Sequence, residues 1–145
     1  MQMLFLLPAF LGLITSSPHS TVTVGTTPIN ELSIQGVPEA LTLSPKISSV
    51  TSQSNYSITT NGDGKKIMAS LAAPLPPHTN LSISLEPPLG ALSHGKVSLS
   101  TKSALLVSSI SRVAQSNLLI TYFFSSSELI VANMYPTTIH FIITD

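Results

Sequence analysis

With 145 residues the chain is long enough for one domain, and a domain of that size buries roughly two thirds of its unfolded surface. Only 8% of residues are charged, and six basic residues balance six acidic ones, so the chain lacks the concentrated positive footprint of a nucleic-acid binder. It has no cysteine, which excludes a disulfide scaffold, a thiolate zinc site, a cysteine nucleophile and a lipid-modified cysteine anchor.

Residues 1–14, MQMLFLLPAFLGLI, form an apolar run bounded by Thr15, Ser16 and Ser17. The run is shorter than the ~20 residues of a comfortable membrane span and fits the apolar region of a signal peptide. Residues 1–17 are therefore expected to be removed, although no Lys or Arg precedes the run and Pro18 follows the cut. A buried N-terminal segment is the alternative, and Pro8 disfavours a core helix. Residues 18–145 then make a single exported domain with no membrane span.

Short alternating pieces follow at residues 21–24, 29–34 and 40–43, punctuated by Pro28, Pro38 and Pro45. Residues 46–54 are Ser-rich and read as a loop. Residues 55–71 read NYSITT, NGDG, KKIMASL, a β-hairpin signal. Tyr56, Ile58 and Thr60 share one face of the first arm, and Ile67, Ala69 and Leu71 one face of the second. Three prolines make residues 72–80 a connection, which could cross between sheets. Leu81, Ile83 and Leu85 alternate inward; residues 86–95 are a loop; Val97 and Leu99 alternate again.

Residues 104–113 mix helical and strand spacing, and β-branched content favours a strand from 105 to 108. Residues 117–125, NLLITYFFS, are apolar on both faces and predict a central strand covered on both sides. Residues 128–135 are a helical turn or irregular crossing. Residues 137–144, TTIHFIIT, make the last strand, with Ile139, Phe141 and Ile143 inward. Eight or nine short strands without βαβ spacing predict an all-β fold, an antiparallel β-sandwich of immunoglobulin-like type.

The run YSITTNGDGKKI at 56–67, then PLPPHTNLSISLEPPLGALSHGKVSLS at 74–100, VSSIS at 107–111, LLITYFFS and TTIHFIIT resembles a group of small secreted bacterial proteins. These are viewed as immunoglobulin-like or fimbrial-subunit-like sandwiches and are largely uncharacterised. The resemblance covers residues 29–145 and lies in strand order and turn placement. It implies a surface location and brings no catalytic residues. The cysteine pair of many fimbrial subunits is absent here.

Candidate chemistry is sparse. His78 and His94 sit in loops flanking the 81–85 strand, and no H-x-H or H-E-x-x-H spacing exists. GALSHG at 90–95 has the wrong spacing for a nucleophile elbow, and no carboxylate pair is placed for glycosidase work. Asn61 and Asp63 offer oxygen ligands, but the calcium-loop pattern fails at Lys65, so a tight turn is the plainer reading. Two N-x-S triplets begin at Asn55 and Asn80 and carry little meaning in a bacterial chain. Tyr56 and Tyr135 are the candidates for exposed aromatics.

The expectation is a non-catalytic, cofactor-free structural or adhesive protein of the cell surface or periplasm that self-associates or binds another surface protein. Ile139, Phe141 and Ile143 are its candidate strand-pairing residues, although filling the domain's own core is the plainer reading. The alternative is a ligand- or carbohydrate-binding module using loop residues Asn61, Asp63, His78 and His94. A small outer-membrane barrel is disfavoured by eleven prolines and few aromatics.

Overall fold

The computed structural model describes residues 27–36, 43, 49–128 and 137–145. The expected signal peptide, the alternating piece at 21–24, residues 40–42 and the crossing at 129–135 lie outside the described residues. What is described is all strand and loop: β1 (Asn30–Gln35), β2 (Ser49–Thr60), β3 (Lys65–Leu71), β4 (Thr79–Leu85), β5 (Leu92–Ser93), β6 (Val97–Ser98), β7 (Ala104–Ile110), β8 (Val113–Ser126) and β9 (Ile139–Thr144).

These strands form two antiparallel sheets, a five-stranded one in the order β1-β2-β8-β4-β6 and a four-stranded one in the order β5-β7-β3-β9. Alternation decides which side chains go inside. Tyr56 and Ile58 of β2, Ile83 of β4 and Ile120 of β8 meet Ile67 of β3 and Leu106 and Val107 of β7 in one core cluster. The two sheets therefore share a core, as the layers of a sandwich do.

The hairpin expected at residues 55–71 is not formed. Its arms are strands, and the residues expected to share a face do so: Tyr56, Ile58 and Thr60 of one arm and Ile67, Ala69 and Leu71 of the other are all buried. They do not pair with each other: β2 pairs with β1 and β8, while β3 pairs with β7 and β9. Residues 61–64 are an arch that carries the chain from one sheet to the other. The same holds for every later link, because from β2 onward consecutive strands lie in different sheets. Each arm buries its apolar face against the other across the core instead of sharing a hydrogen-bond ladder with it.

The expected loop at 46–54 is also revised, since β2 starts at Ser49 and pairs with β8 as far as Ser49↔Ser125. β8 is the central strand expected, third of five. Its outer face is not buried, however: Leu119 and Phe123 are half-buried, and Lys96 lies 4.4 Å over the Phe123 ring.

Register shifts interrupt two of the ladders. The β2–β8 register shifts between Tyr56 and Ile58, close to Asn117 at φ 59°, and the β3–β7 register shifts next to Ser109 at φ 58°. The polar groups that do enter the core are paired. Ser54 Oγ lies 2.9 Å from the Tyr122 hydroxyl, Thr60 Oγ1 donates to Asn30 Oδ1 at 2.7 Å, and Ser82 Oγ lies 3.2 Å from Ser98 Oγ. No buried side-chain polar atom among the described residues lacks a partner.

Candidate functional site: an open sheet edge

A two-sheet fold has four edge strands, and an edge exposes a row of backbone donors and acceptors. Here the four differ. β5 and β6 are two residues long, too short to template another strand. β1 is six residues long and carries Glu31 on a largely exposed, polar run. β9 is also six residues long and holds neither a fixed charge nor a proline. It pairs with β3 from Lys66↔Thr144 to Leu71↔Ile139 without a register shift. Among the described residues, β9 is paired on that side only.

The sequence builds this edge in a simple way. Ile139, Phe141 and Ile143 are partly buried and pack against the core, while His140, Ile142 and Thr144 face outward. A polar residue is the ordinary occupant of an outward edge position; Ile142 instead stands there 49% exposed. Its cross-strand neighbour is Met68, and beyond Met68 lies Leu105. An apolar row thus crosses three strands on the outer face of the four-stranded sheet.

β1 lies alongside β9, so both six-residue edges are on one side of the molecule. Leu32 of β1 is, like Ile139, Phe141 and Ile143, only partly buried against the core. The core reaches the surface along this seam.

The C-terminal end of β9 is fastened by charge. Lys65 Nζ donates to the Asp145 carboxylate, and Lys66 Nζ donates to the Asp145 backbone oxygen at 3.0 Å. The Lys65 hydrogen bond and charge, with a smaller contribution from Lys66, hold the Asp145 carboxyl below its ordinary pKa. At the other end, the Ala72 N–H donates to the Thr138 carbonyl at 3.0 Å and continues the ladder beyond Leu71.

The four loop residues expected to form a ligand site are not brought together. Asn61 and Asp63 follow Thr60, which pairs with Val113 at the start of β8; His78 precedes Thr79, which pairs with Ser126 at its end. β8 has fourteen residues, so the two groups are roughly 40 Å apart. Each residue also has a structural partner. Asn61 accepts from the Ile29 N–H at 2.8 Å and donates to the Thr27 carbonyl at 2.9 Å, so it clamps the chain entering β1. Asp63 accepts from Arg112 at 3.0 Å, which ties the arch at 61–64 to the β7–β8 arch.

His94 Nε2 lies 2.9 Å from Ser108 Oγ, and His78 lies 3.5 Å from Glu128. A shallow cleft of about 200 Å³ lined by Leu71, Leu75, Thr79, Asn80 and Leu99 includes none of the four loop residues. No group of three metal-ligating side chains occurs among the described residues.

Tyr56, expected as a candidate exposed aromatic, is completely buried, with its hydroxyl donating to the Glu86 carbonyl. Burial, reinforced by the Glu86 charge, pushes its phenol pKa well up. Tyr135 lies outside the described residues. Among the described residues no helix is long and apolar enough to cross a membrane.

No family model matches the chain, and no curated protein matches it.

Proposed function

We propose that this protein is an exported, non-catalytic structural or adhesive component of a cell surface, which self-associates by adding a strand at the edge of β9. In this reading the fold is an immunoglobulin-like sandwich, the partner is a second copy or another surface protein, and no cofactor takes part. The observation that carries the reading is the contrast among the edges. β9 is long, apolar, unbulged and paired on one side among the described residues, whereas β5 and β6 are two-residue strands.

Physical chemistry supports this choice of site. An edge strand with free backbone groups adds another strand through main-chain hydrogen bonds, and side-chain pockets on alternate positions set the specificity. Ile139, Phe141 and Ile143 reach the core only in part, so an added strand would bury what they leave exposed. The low charge fits such a role, since few like charges oppose the approach of a second copy.

Size-exclusion chromatography with light scattering on the purified chain tests the reading. Association that rises with concentration is the expected result, together with its loss in Ile142→Lys, which places a charge on the edge. A discrete monomer across the accessible concentration range would contradict it.

A further inference from the structure

Resting on the reading of β9 as an association edge, we infer that the partner is a second copy of this chain, docked antiparallel about a two-fold axis through Ile142. The two four-stranded sheets then join into one continuous sheet.

Register decides the pairing. Directly opposed residues in an antiparallel pair point to the same face, so outward residues of one copy must meet outward residues of the other. The outward set of β9 is His140, Ile142 and Thr144. With the axis at Ile142, Ile142 meets its own copy and His140 meets Thr144. Apolar meets apolar and polar meets polar. On the inner face Phe141 meets Ile143. With the axis at Phe141, Ile142 would lie opposite His140; with the axis at Ile143, it would lie opposite Thr144. Only the Ile142-centred register leaves no apolar–polar opposition on the outer face.

Two further features fit that register. The row Ile142, Met68 and Leu105 becomes continuous across both copies, because each Ile142 extends the other's row. The two Asp145 carboxylates fall at opposite ends of the pairing. Each stays beside its own Lys65. An isologous contact of this kind closes on itself, so it yields a dimer and not a filament. One six-residue strand pair is smaller than a standard interface of about 1,600 Å² in total, so the dimer dissociates on dilution.

The absence of native cysteine makes a direct test available. Opposed residues in an antiparallel pair have Cα atoms about 4.5–5.5 Å apart, within disulfide range. Ile142→Cys is therefore expected to give a covalent dimer under mild oxidation. His140→Cys would be offset from its copy by four residues, about 13 Å, and is expected to stay monomeric on a non-reducing gel.

Light scattering on the unmodified chain accompanies both variants. Cross-linking of both to a similar extent, or of His140→Cys alone, would overturn the Ile142-centred register. Concentration-dependent oligomers without an Ile142→Cys disulfide would overturn it too, while leaving association at β9 standing. Absence of both disulfides and oligomers would remove the register and the association together.

Discussion

The two sides of the molecule finish the same core in different ways. On the side of β5 and β6 the edge strands are two residues long; Leu99, just after β6, is buried, while Leu92 of β5 points outward and is exposed. On the side of β1 and β9 both edges are six residues long, and Leu32, Ile139, Phe141 and Ile143 are only partly covered. The difference separates two jobs that one alternating pattern performs. Where strands are short, inward residues serve folding alone. Where a long strand ends the sheet, the same inward residues still serve folding, while the backbone beside them offers a place to add another strand.

The largest effect is expected in the closed interior. Ile83→Ala removes a fully buried side chain and should cost about 2–5 kcal/mol in denaturant unfolding. Ile143→Ala makes the same chemical change on the open side and should cost under about 2 kcal/mol in dilute protein, because that side chain is only partly buried to begin with. Equal costs would erase the contrast between the two sides.

A smaller effect is expected at Tyr56, whose hydroxyl donates to the Glu86 carbonyl inside the closed region. Tyr56→Phe should cost about 1–2 kcal/mol by the same measurement. Tyr56 also makes stability depend on pH. Its phenol pKa is raised in the folded protein, by burial first and the Glu86 charge second, and the Tyr122 phenol is raised by burial as well. The folded state keeps those protons after the unfolded chain has begun to lose them. Their contribution is thus complete below the ordinary phenol pKa of about 10 and falls as pH rises above it. Thermal melts between pH 8 and 11 should show that decline, and Tyr56→Phe should flatten it.

The smallest effect belongs to the fastening of β9. The Asp145 carboxyl is held below its ordinary pKa mainly by Lys65, so its contribution is present at neutral pH. That contribution is lost as pH falls through and below the usual carboxylate range. The Asp145 carboxylate is exposed and its attraction to Lys65 is screened by solvent. Asp145→Asn should leave the melting temperature nearly unchanged, while amide exchange at Thr144 becomes faster at neutral pH and loses most of its acid dependence.

Much of the fold is legible in the chain because the inward faces are local. Ile58, Ile67 and Leu71, Leu81 and Leu85, and Ile120 and Tyr122 each declare themselves by alternation, and all are buried. Strand partners are not local. The NGDG turn between two alternating arms has the same chemistry in a hairpin and in an arch. What separates the two is whether the arms' apolar faces lie side by side or oppose each other across the core. Residues 49–54 were illegible for a related reason. The three serines and the glutamine there are not strand formers of their own accord, and pairing with β8 makes the stretch a strand.

At the candidate site, the strand and its inward residues Ile139, Phe141 and Ile143 could be read from the pattern, but its position at a sheet edge could not. One signal was available. Ile142 is an apolar residue at an outward position of a terminal alternating run, and it is the residue that the edge exposes.

The most direct test of the open edge is residue-resolved amide hydrogen exchange along β9, measured by NMR at low and high protein concentration. The account predicts that in dilute protein alternate amides from Ile139 to Thr144, those facing β3, are protected while the others exchange freely. The others should then become protected as concentration rises. Protection of every β9 amide even in dilute protein, or free exchange of the outer set at all concentrations, would contradict it.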